Sequence, residues 1–142
     1  LLSNPIQYPQ FRVDTFLSPI GICFSPNEKY LYWCNMDSVF QYDLTTNLST
    51  NVAVFDSSLV PTWGIPYIAN FKFEYMQLGP DNRIYIGTLM NYLNYIDKPN
   101  LTGIGCDIHK LEIELPYSPA VFLLNMPFYT TTPINCDTSV GV

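Results

Sequence analysis

A chain of 142 residues is the size of one domain. It is 48% hydrophobic and 15% aromatic, enough for a core, while a charged content of 13% is too low for a self-repelling disordered chain. A net charge of −6 with only six Lys and Arg excludes a groove that tracks phosphates, so nucleic acid is not an expected partner, and an acidic membrane surface would repel the chain.

The twelve Pro, eleven Tyr and nine Phe point to an all-β, turn-rich fold, because Pro interrupts nearly every window long enough for a helix. No apolar run reaches the roughly eighteen residues of a membrane span. The chain opens at Leu1 with no basic and apolar leader, so a signal peptide is expected to be absent or already removed, and the abrupt start reads as a piece of something longer.

Residues 1–10 carry two Pro and no clear period, and Phe11–Leu17 alternates as a strand. The stretch from Gly21 to Asp43 organises the chain. Ile20, Ile22 and Phe24 alternate with small or polar neighbours, and Ser25-Pro26-Asn27-Glu28 breaks the pattern as a turn. Tyr30–Cys34 is a second strand, Asn35–Ser38 a second turn, Val39–Tyr42 a third strand, and Asn51–Phe55 supplies a fourth. Four antiparallel strands in about 40 residues is the size of one propeller blade.

Residues 56–70 hold Pro61, Trp63, Gly64, Pro66 and Tyr67 and read as a long aromatic loop. Trp63 and Tyr67 either plug the space between two blades or belong to a recognition surface. A repeat follows. Phe71–Leu78, the turn Gly79-Pro80-Asp81-Asn82-Arg83 and Ile84–Gly87 copy the first hairpin, with Pro80 lying 54 residues after Pro26. The first copy carries one extra residue before its central Tyr, which predicts a small register difference. Asn91–Asp97 matches the third strand, so Asp43 and Asp97 fall at equivalent strand ends, where capping the turn is the expected role. Ile113-Glu114-Leu115 alternates like a strand edge, Ala120–Leu124 reads as a buried strand, and residues 130–142 as an exit segment.

These readings predict a partial β-propeller over 1–142, with a first blade at 11–56, a second at 57–115 and a closing strand with exit segment at 116–142. One small sheet cannot bury both faces, and stacking sheets side by side solves that problem. A closed propeller needs at least about four blades and the chain has room for roughly two and a half. The remaining blades, or another protein chain, are therefore expected partners.

Candidate chemistry is thin. Cys23, Cys34, Cys106 and Cys136 lack zinc spacing, and His109 is the single His. Cys23 and Cys34 sit about symmetrically on one hairpin, which would pair them and leave Cys106 with Cys136; four free buried thiols is the alternative. The carboxylates are scattered rather than clustered for calcium, and no glycine-rich phosphate cradle is present. No metal, cofactor or catalytic residue is expected. Tyr92 and Tyr95 join Trp63 and Tyr67 as residues that could meet a glycan or a protein.

The run Phe24-Ser25-Pro26-Asn27-Glu28-Lys29-Tyr30-Leu31-Tyr32, followed by Val39-Phe40-Gln41-Tyr42-Asp43-Leu44-Thr45, resembles the blades of large secreted β-propeller proteins of gliding and related bacteria, which often end in a type IX secretion sorting domain or a gliding-motility-associated C-terminal domain. The motif Met76–Ile86, the segment Tyr92–Asn100, Gly103–Cys106, Leu124–Tyr129 and Cys136-Asp137-Thr138 continue the likeness in the same order. It departs at Ser118–Leu124, which lacks the usual Gly-Leu-Pro pattern, and no sorting domain is present. The resemblance implies an extracellular or cell-surface location and no known reaction. Three functions are consistent with it: a non-catalytic scaffold or recognition segment, part of a propeller enzyme acting on glycans or lactones with its active site elsewhere, and a β-subunit completed by another chain.

Overall fold

A computed structural model describes residues 19–56, 73–88 and 91–116. The described residues form two four-stranded antiparallel sheets, each a simple meander. Sheet 1 contains β1 (Gly21–Phe24), β2 (Tyr30–Cys34), β3 (Ser38–Asp43) and β4 (Leu48–Val54). Sheet 2 contains β5 (Met76–Leu78), β6 (Ile84–Ile86), β7 (Tyr92–Ile96) and β8 (Ile108–Glu114), with a 3-10 turn at Gly103–Cys106 before β8. The expected strands at Phe11–Leu17 and Ala120–Leu124 lie outside the described residues, and so does most of the aromatic loop. No helix among the described residues is long and apolar enough to cross a membrane.

The two hairpin turns show why the repeat is imperfect. In sheet 1 the Ser25 N–H donates to the Tyr30 carbonyl; in sheet 2 the Gly79 N–H donates to the Arg83 carbonyl. The first turn is thus one residue longer, as the sequence predicts. Glu28 and Asn82 take the left-handed backbone each turn requires, at φ 56° and 65°.

That extra residue has a large effect. Tyr30 and Cys34 hydrogen-bond toward β1, whereas in sheet 2 the residues that bond toward β5 are Arg83 and Gly87. In a strand of L-residues, the neighbour that a backbone bonds to and the face its side chain takes are linked. The ladder equivalents are therefore Tyr30 with Arg83, Tyr32 with Tyr85 and Cys34 with Gly87. The same reasoning through the cross-strand partners matches Gln41 with Tyr95 and Asp43 with Asp97.

The core lies between the sheets. It joins Tyr30, Tyr32, Cys34, Val39 and Ala53 of sheet 1 to Ile84, Ile86 and Ile96 of sheet 2, with Phe55, Phe73 and Cys106 from the connections. Burial of each large side chain contributes on the order of 1.5–3 kcal/mol. By the equivalence above, sheet 1 buries its Tyr32 face while sheet 2 buries the opposite face, the one carrying Ile84 and Ile86. The sheets stack front to back, in the same sense, rather than front to front. β1 runs against β5, and the approach is close: a Cβ on Gly21 would clash with the Glu74 carbonyl oxygen.

Polar groups lock this interface. The Tyr32 hydroxyl donates to the Pro99 carbonyl at 2.9 Å and accepts from the Gln41 side-chain amide. Gln41 also donates to the Leu101 carbonyl and accepts from the Gly103 N–H, both at 2.7 Å. Lys110 reaches across to the Val54 carbonyl, and the Asn27 N–H donates to Asn100.

The expected cysteine pairing is corrected here. Cys23, Cys34 and Cys106 are free thiols. The register sets Cys34 opposite Gly21 and Cys23 opposite Tyr32, so the two cysteines are diagonal neighbours. Diagonal side chains stand about 7–8 Å apart, beyond the roughly 3.5–4.5 Å between Cβ atoms that a disulfide needs. The Cys34 thiol instead donates to the Glu74 carbonyl at 2.7 Å. Burial pushes Cys34 up to about 12 and Cys23 and Cys106 up to about 11, so all three are poor nucleophiles. Cys136 lies outside the described residues.

Candidate functional site

The outward face of sheet 2 carries the largest concentration of aromatic and charged side chains among the described residues. Its origin is a single register row. Gln77 faces Tyr85, Tyr85 faces Tyr95, and Tyr95 faces His109, so one side chain from each strand stands in line across the sheet. The Tyr95 and His109 rings are parallel at 4.5 Å, and the Arg83 guanidinium lies over the Tyr95 ring at 5.0 Å. Tyr85 is tilted against Tyr95 at 6.3 Å.

A bulge completes the site. The pairing of β7 with β8 shifts between Leu93 and Tyr95. Leu111 there takes φ 54°, a left-handed conformation that costs a residue with a Cβ roughly 1–2 kcal/mol. The buried Asn94 side chain accepts the freed Leu111 N–H at 2.9 Å and holds the bulge in place. The bulge brings Glu112 back over the row, where it contacts His109 Nδ1 at 3.0 Å and accepts from the Tyr95 hydroxyl at 3.2 Å.

Ion pairs frame the rings. Arg83 Nε donates to Asp97 at 2.7 Å, and Lys98 to Asp107 at 2.7 Å. His109 stands between two carboxylates, Glu112 on Nδ1 and Asp107 on Nε2, the latter at 3.4 Å. The bond to Glu112 holds the His109 pKa above its ordinary value, against a smaller opposing effect of burial. The same bond holds Glu112 below its ordinary value, and Lys98 does so for Asp107. Each pair has at least one solvent-exposed partner, so the pairs fix geometry more than they add stability.

Asp43 caps its turn as expected, its carboxylate accepting the Thr45 and Thr46 N–H groups. Asp97, at the equivalent position, does something else. Arg83 stands where sheet 1 has Tyr30, and its guanidinium takes the carboxylate.

Of the four expected recognition residues, Tyr92 and Tyr95 are described. Trp63 and Tyr67 lie outside the described residues. Tyr92 and Tyr95 share β7, but they are three residues apart and alternation puts them on opposite faces. Of the two described, Tyr95 stands in the outward row and Tyr92 does not. The Tyr95 ring is covered by His109 on one side and Arg83 on the other, which leaves no face open for a sugar. Arg83, Tyr85, Glu112 and His109 were not singled out by sequence reasoning as a group. The available signal was the match of Tyr85 to Tyr32, which places Tyr85 and its row on one face.

Nothing in this arrangement resembles a nucleophile with its base. Both His109 nitrogens are engaged by carboxylates, and among the described residues no three His, Cys, Asp or Glu side chains gather as a metal site. The sequence matches no protein-family model and no curated protein.

Proposed function

We propose that this chain is a non-catalytic stretch of a β-propeller that serves as a scaffold and recognition surface in an extracellular, cell-surface bacterial protein, related to type IX secretion or gliding. The observation that carries the propeller reading is the front-to-back stacking of two meanders with their first strands side by side. Successive blades of a propeller stack in that sense, whereas the two layers of a sandwich need not. The order of motifs from Phe24 to Cys136 supports the surface location.

The outward row of sheet 2 favours a protein partner over a glycan. The Tyr95 ring is stacked on His109 with the Arg83 guanidinium over it, and Arg83, Lys98 and His109 each meet a carboxylate. Such a surface presents ring edges and hydroxyls, which suit burial against another sheet. The reading as part of a glycan or lactone enzyme, with its reacting groups elsewhere in the protein, has no residue in its favour among the described ones.

Two experiments test the proposal. An antibody to this chain should label intact cells of the source organism; labelling only after lysis would remove the surface assignment. An experimental structure of the intact protein should show further four-stranded sheets over both outward faces, and two sheets with both faces in solvent would overturn the propeller.

A further inference from the structure

We infer that Glu74 makes the seam between the two sheets a pH-sensitive joint: with its carboxyl protonated β5 stays seated on β1, and ionisation loosens the contact.

The joint is built around one residue. Glu74 lies on the connection into β5 and ties sheet 2 to sheet 1 through its backbone. Its carbonyl oxygen accepts the Cys34 thiol of β2 at 2.7 Å and leaves no room for a Cβ on Gly21 of β1. The Phe73 N–H beside it donates to the Met36 carbonyl in the turn between β2 and β3 at 3.3 Å. Its own N–H donates to the Gly87 carbonyl, just past β6, at 3.0 Å. With its backbone tied to both sheets, the residue is only 6% exposed.

Nothing among the described residues offsets a charge there. Arg83 and Lys98 are paired with Asp97 and Asp107, and His109 with Glu112. Lys110 reaches the Val54 carbonyl, and Lys29 lies over the Tyr30 ring. The titratable groups on the facing elements are Cys23 of β1, Cys34 of β2 and Asp37 in the turn after it. Burial pushes Cys23 up to about 11 and Cys34 up to about 12, so neither thiol carries charge at neutral pH. Asp37 has the same sign as Glu74 and cannot neutralise it. Lys72, two positions earlier, lies outside the described residues. Burial raises the Glu74 carboxyl above its ordinary value, with no hydrogen bond or cation acting against it. An acid that is neutral when closed in and charged when open couples the seam to proton concentration.

In the open state Glu74 titrates near its ordinary 4.5, and in the closed state higher. The seam is therefore at full strength below 4.5. Above that its opening grows by up to about tenfold per pH unit, and it levels off once pH has passed the raised closed-state value. His109 acts in the same direction but only above 6.5. The lowered carboxyls of Asp43, Asp107 and Glu112 act below 4.5. The interval from 4.5 to 6.5 thus isolates Glu74 among the described residues.

The experiment follows amide hydrogen exchange by NMR on the whole chain between pH 4.5 and 6.5, each rate divided by that of an unstructured peptide at the same pH. Protection at Phe73, Glu74 and Gly87 should fall as pH rises. Protection at Ser25, whose N–H closes the far turn of sheet 1 on Tyr30, should hold. Glu74→Gln, a neutral isostere, should abolish the fall. A carboxyl-carbon NMR titration of Glu74 in the native chain is a second readout that needs no variant, and its midpoint should lie above 4.5. A midpoint at or below 4.5, as a counter-ion from Lys72 would produce, overturns the inference. A fall shared equally by Ser25, or one that persists in Glu74→Gln, overturns it as well.

Discussion

Tyr32 and Tyr85 occupy the same hydrogen-bonding position in two successive sheets, yet one is sealed in the core and the other stands in the outward row. The Tyr32 hydroxyl bridges Gln41 and Pro99 across the sheet interface, whereas the Tyr85 hydroxyl donates to its own turn at Asp81. Tyr32→Phe should therefore cost about 1–3 kcal/mol, because it leaves a buried carbonyl without its donor. Tyr85→Phe should change stability by no more than about 0.5 kcal/mol. Urea unfolding of the two variants checks the contrast, and equal losses would contradict the assignment of faces.

Gly21 is where the two sheets come closest. A methyl group there meets the Glu74 carbonyl, the Met76 nitrogen at 2.9 Å and the Cys34 sulfur at 3.0 Å. Two of these three are backbone atoms, which cannot rotate away. Gly21→Ala should destabilise by about 1–3 kcal/mol through overpacking. A melting temperature at or above that of the native chain would show that β1 and β5 are not so tightly apposed.

Trp33 lies on the outward side of sheet 1 yet is only 6% exposed, with its ring stacked on Phe40 at 4.0 Å. Trp33→Ala should cost about 3–5 kcal/mol. The indole should also be shielded from acrylamide in the native protein. An unchanged urea midpoint would refute its burial.

His109 gives the fold a modest pH dependence. Its bond to Glu112 raises its pKa in the folded state above the ordinary 6.5, so the protonated form is favoured by folding. The resulting stability is fully present below 6.5 and is lost as pH rises through the raised folded value. Glu112→Gln should bring the His109 titration, followed by NMR of the ring protons, back down toward the ordinary value. A titration that stays put in this variant would assign the shift to Asp107 and Asp97 instead.

Much of the architecture is written in the residues. Alternation from Ile20 to Phe24, the Pro-Asx turns and the aromatic second strands mark the two meanders, and the Pro26 to Pro80 spacing marks them as copies. The extra residue in the first turn is also visible. Legibility stopped where local pattern and tertiary contact part company. β8 was seen only at Ile113–Leu115, because the bulge at Leu111 breaks its alternation and Asn94, seventeen positions earlier, holds that bulge. β5 is shorter than the apolar run before it, since Phe73 leaves the ladder to fill the core.

Strand periodicity and turn chemistry are local properties of neighbouring residues, and so an antiparallel β-protein built from a duplicated module can be read directly from the residues. What each copy does with the same positions depends on the packing of one sheet against the other. One residue of difference in a turn sets which face of a strand carries which side chain. Whether that face is then covered depends on what stacks against it, and so Tyr32 became an internal lock while Tyr85, Tyr95 and His109 became a surface.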